Sequence, residues 1–87
     1  MRKEFEKGSP ENAVFRDFYI LCEDFAIAED TKEFHDAAYK RAEELLQKYK
    51  DTPAYELAMC MERIFDSFIT RGIYNIRKEK LEKAEDL

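Results

Sequence analysis

Between residues 11 and 52 the chain contains neither glycine nor proline. A sandwich or barrel needs turn residues every ~8–12 positions, so a stretch this long without them argues strongly for helices. Two glycines and two prolines in 87 residues extend the argument to the whole chain. The apolar fraction, 45%, is too high for a disordered segment, and 40% charged residues leave no apolar run of ~18 that could cross a bilayer. Length allows one domain, because two cores would each be starved. The expected fold is all-α, a single domain over residues 1–87.

The scarce prolines mark where helices begin. Ser9-Pro10-Glu11 sets a good N-cap before a proline at the first helical position, followed by an acid. This predicts a first helix from Pro10 to about Ala28. Asp30 can cap a second helix, with Glu33 three residues on reaching back as in a capping box, and that helix runs to about Lys50. Thr52-Pro53 repeats the first signal and opens a third helix. Connections of two to four residues would fold each helix back on its predecessor, giving an up-down-up three-helix bundle.

Apolar spacing supports the same division. Helix one gathers Val14, Phe15, Phe18, Leu21, Cys22 and Phe25; helix two gathers Phe34, Ala38, Ala42, Leu45, Leu46 and Tyr49. Helix three gathers Ala54, Leu57, Ala58, Met61, Ile64, Phe65, Phe68, Ile69 and Ile76. Small residues on helices two and three leave room for Phe15, Phe18, Phe25, Phe65 and Phe68 between the helices. Gly72 falls on the core stripe of helix three. It either ends the helix as a left-handed cap or lies within it and admits a close neighbour; Ile69, Ile73 and Ile76 keep helical spacing across it, which favours continuity. The expected core covers residues 10–76. Residues 77–87 carry balanced charges and no apolar stripe, as in an exposed, fraying helical tail.

Little here supports catalysis. His35, the one histidine, lies at the edge of an apolar stripe with Tyr39 one turn away, the place of an ordinary edge-of-core histidine. No glycine-rich phosphate loop, Glu-x-x-His repeat, zinc-ligand spacing or calcium loop is present. No catalytic residue, cofactor or metal is therefore expected, and the chain reads as a non-enzymatic protein. Cys22 and Cys60 sit within helical patterns, and the charged start of the chain lacks the apolar core of an export signal. Reduced cysteines in a cytoplasmic protein are the expectation.

Charge is distributed unevenly. Glu23, Asp24, Glu29, Asp30, Glu33 and Asp36 face only Lys32 within their own stretch, a local −5 equal to the chain's net charge. Asp30 and Glu33 suit the start of a helix, whereas Glu23, Asp24 and Glu29 near the end of helix one oppose its dipole at a cost of a few tenths of a kcal/mol each. An acidic end of this kind suits a protein partner with a basic surface and disfavours direct nucleic-acid binding. Ile20 and Ile27, seven residues apart and ringed by charge, would share a helix face outside the core and could anchor that partner or a second copy. A homodimeric scaffold is the alternative.

Phe15-x-x-Phe18-Tyr19, Glu29-Asp30-Thr31-x-Glu33-Phe34-His35 and the closing Tyr49 resemble the pattern of short acidic helical proteins of prophages and other mobile elements. Some proteins of that kind are anti-CRISPRs. The resemblance implies an inhibitor that acts by protein contact or by imitating nucleic-acid charge. It implies no catalytic residue.

Overall fold

A computed structural model describes residues 3–85. They form α1 (Pro10–Asp24), α2 (Lys32–Tyr49) and α3 (Tyr55–Glu85), with no strand among the described residues. All three helix pairs touch, and α2 against α3 is the most extensive contact. The fold is the expected all-α, up-down-up arrangement of three helices. Met1 and Arg2, and Asp86 and Leu87 at the end of the expected tail, lie outside the described residues.

Local chemistry accounts for each helix start. Ser9 is extended, and its hydroxyl accepts from the Asn12 amide at 3.3 Å, with Pro10 in the first turn. Gly8 just before it has φ +88°, a conformation only glycine takes without strain. The second cap is Thr31, not Asp30: Thr31 Oγ1 accepts from the Phe34 amide at 3.1 Å. Asp30 is held elsewhere, as described below. At the third start, the Thr52 hydroxyl donates to the Tyr49 carbonyl at 2.9 Å and accepts from the Ala54 amide at 3.2 Å. One hydroxyl thereby closes α2 and opens α3.

α1 stops at Asp24, four residues short of the expected Ala28. Two acids occupy its last turn and no base offsets them there, so the helix dipole works against continuation. The Ala26 amide closes on the Glu23 carbonyl at 3.3 Å and the chain leaves the helix. The gain is burial of Phe25, whose ring meets Phe34 edge-on at 5.5 Å and Phe65 at 5.8 Å. The connection from α1 to α2 therefore spans residues 25–31, longer than the two to four residues expected.

The core comprises Val14, Leu21 and Phe25 of the first segment, Ala38, Ala42, Leu45 and Tyr49 of α2, and Ala54, Ala58, Met61, Phe65 and Ile69 of α3. Three expected core residues are instead exposed: Phe15, Ile64 and Phe68. Phe15 stacks on Phe5 at 6.3 Å outside the core, and Phe68 stacks on Phe65 at 6.4 Å with its outer face bare. The reason is geometric. The apolar arc of α3 is wider than two neighbouring helices can cover, so Ile64 and Phe68, to one side of the buried Phe65, are left outside.

α3 runs without interruption through Gly72 to Glu85, 31 residues or roughly 46 Å. Gly72 admits a close neighbour: a methyl group built there would lie 2.8 Å from the Ala28 Cβ. The connection between α1 and α2 thus crosses α3 at this glycine. Ile73 still packs on the core, and beyond Arg77 α3 overhangs the body; residues 77–84 are exposed.

A polar contact at Asp17 helps pin α1 to α2. Tyr49 donates its phenolic proton to Asp17 Oδ2 at 2.5 Å, and Lys48 Nζ reaches the same oxygen at 2.7 Å. Burial alone would raise the Asp17 carboxyl. The hydrogen bonds from Lys48 and Tyr49, with the Lys48 and Arg16 charges, outweigh it and hold the group below the usual carboxylate range. Burial, with the Asp17 carboxylate beside it, pushes the Tyr49 phenol well up.

Candidate docking surface

The six acids expected at one end divide into two sets of three. Asp24 bonds Arg41 at 2.9 Å, and that guanidinium also lies 5.8 Å from the centroid of the Phe25 ring. Asp30 accepts from Arg77 Nε and Nη2, both at 3.0 Å, a two-pronged clamp between the first connection and α3. Those hydrogen bonds hold the Asp30 carboxyl below its usual range, with the Arg77 and Lys80 charges adding to the effect. Asp36 sits 3.8 Å from Lys32, one turn away on an exposed helix face, an arrangement of little energetic weight. Glu23, Glu29 and Glu33 are exposed and make no ion pair among the described residues.

Folding therefore dilutes the local charge seen along the sequence. Arg41 and Arg77 arrive from outside the 23–36 stretch and each takes up one acid. The acids also sit at a shoulder of the body, not at its extreme end. Ala28 packs at Gly72 and Asp30 holds Arg77, while α3 continues past both to Glu85.

The two isoleucines do not share a helix face. Ile20 is on α1, 43% exposed, beside a small groove with Asp17, Arg41 and Lys48 that lies between α1 and α2. Ile27 is off the helix, in the connection, and 86% exposed. Their seven-residue spacing places both on one face only if α1 reaches Ala28, and it does not. Each is nonetheless an exposed apolar side chain.

A larger apolar surface lies on α3, where the sequence pattern placed core. Ile64 is 58% exposed, Phe68 42% and Tyr74 52%. With Phe25 and Ala28 of the first connection, they line a groove of about 910 Å³. Asp66 also lines it without an ion pair among the described residues, and Arg71 lies over the Tyr74 ring at 5.3 Å from its centroid. The sequence holds one signal for this surface. Ile64 and Phe68 stand one step to the side of the Ala58–Met61–Phe65–Ile69 stripe, where a helix with two partners has no third one to cover them.

His35 is exposed on α2 at the rim of a crevice that also involves the core residues Ala38, Ala42 and Ile69, and its ring makes no hydrogen bond among the described residues. Burial alone raises the Cys22 thiol, with no nearby charge to activate it, and both cysteines are free. No group of three or more metal-ligating side chains occurs among the described residues, and no helix there is long and apolar enough to cross a membrane.

No family model matches this chain, and comparison with curated proteins and with solved structures gave no match.

Proposed function

We propose that this chain is a non-enzymatic protein-binding module. It docks on the basic surface of a nucleic-acid-binding protein through the shoulder formed by residues 23–36. The pattern it shares with short mobile-element proteins makes an inhibitor of the anti-CRISPR kind the favoured role, acting where a nucleic acid would otherwise bind. The observation that carries this reading is the pairing of unneutralised carboxylates with uncovered apolar side chains. Glu23, Glu29 and Glu33 have no ion-pair partner among the described residues, and the exposed Ile27 lies among them in the chain. A charged rim around an apolar centre is the usual anatomy of a protein interface. The cytoplasm, where such partners reside, is the proposed location.

The test compares the wild-type chain with a Glu23→Lys/Glu29→Lys/Glu33→Lys variant as baits in a host lysate. All three side chains are exposed, so the fold tolerates the change, and circular dichroism checks this. Proteins retained by the wild type, released by nucleic acid and lost with the variant support the reading. Identical capture by both baits refutes electrostatic docking.

The second reading is a homodimer, favoured by the uncovered α3 face at Ile64 and Phe68. Sedimentation at several concentrations decides it: a constant mass near 10.4 kDa removes the dimer.

A further inference from the structure

We draw no further inference here: the strongest candidate, the apolar groove along α3 at Ile64 and Phe68, carries nothing because the Asp66 and Arg71 charges in its lining cancel and nothing in the structure shows what covers it.

Discussion

Replacing Gly72 with alanine sets two effects of similar size against each other. Alanine in a helix interior is more favourable than glycine by about 0.8–1 kcal/mol. Against this, the new methyl would lie 2.8 Å from the Ala28 Cβ, where ordinary carbon contacts are about 3.5–4.0 Å. Ala28 has no flexible side chain to move aside, so the connection or the helix must shift by about 1 Å. Overpacking of this kind costs about 1–3 kcal/mol. The expected net effect is a destabilisation of about 1 kcal/mol, or a fall in Tm of about 4–8 °C for a domain of this size. Removing the opposing methyl reverses the sign. In an Ala28→Gly background, which itself costs about 0.4–1 kcal/mol through the unfolded state, Gly72→Ala stabilises the chain by about 1 kcal/mol. The two changes therefore couple by about 1–3 kcal/mol in a double-mutant cycle, read from urea unfolding of all four proteins. Additivity within about 0.5 kcal/mol, with Gly72→Ala stabilising in both backgrounds, would show that the connection does not cross α3 at this glycine.

Further expectations concern the core, the polar pin and the clamp. Phe65→Ala empties the centre of the three-helix core and costs about 3–5 kcal/mol, enough to unfold much of the population at 37 °C by circular dichroism; a loss under 1 kcal/mol would mean Phe65 is not central. Tyr49→Phe keeps the packing but removes a hydrogen bond to a carboxylate, at about 1–3 kcal/mol in denaturant unfolding. The same pair sets a pH window. Asp17 titrates lower in the fold than in the unfolded chain, so its contribution is complete above a pH of about 4 and disappears as pH falls through the lower folded value. Tyr49 titrates higher in the fold, so its contribution is complete below a pH of about 10 and disappears as pH rises through the higher folded value. Asp17→Asn flattens the acid side of the stability profile, and an unchanged profile counts against the contact. Arg77→Ala releases the clamp on Asp30 and speeds amide exchange in residues 27–31 and 73–80 without altering exchange in the centre of α2; identical exchange rates in those segments for wild type and variant contradict it.

The sequence specified the helices well because their signals are local. Ser9-Pro10 and Thr52-Pro53 act on neighbouring amides, and the alanines of α2 and α3 repeat at helical spacing. What it did not specify depends on partners distant along the chain. Asp30 and Thr31 are both competent caps. Thr31 takes the role because Asp30 is claimed by Arg77, 47 residues away. The end of α1 is set by Phe25 finding Phe34 and Phe65 once it leaves the helix.

The same limit governed the candidate site. Local counting showed the acids but not that Arg41 and Arg77 would reach Asp24 and Asp30. Periodicity placed Ile64 and Phe68 among the apolar positions of α3, yet whether such a position is core depends on a neighbour being present. Phe25 covers Phe65, but no neighbour covers the flank that carries Ile64 and Phe68. Conversely, the close approach at Gly72 was legible, because helical spacing continues across it and glycine within such a run points to a crowded backbone.

The central claim is that unpaired carboxylates beside an uncovered apolar surface steer and seat a basic protein. Its most direct measurement is the association rate with the purified partner over a range of salt concentrations, for the wild type and for Glu23→Lys/Glu29→Lys/Glu33→Lys. Electrostatic steering gives the wild type a rate that falls steeply as salt rises, and gives the variant a slower rate whose salt dependence is flat or reversed. Equal rates with the same shallow slope for both proteins would contradict the account.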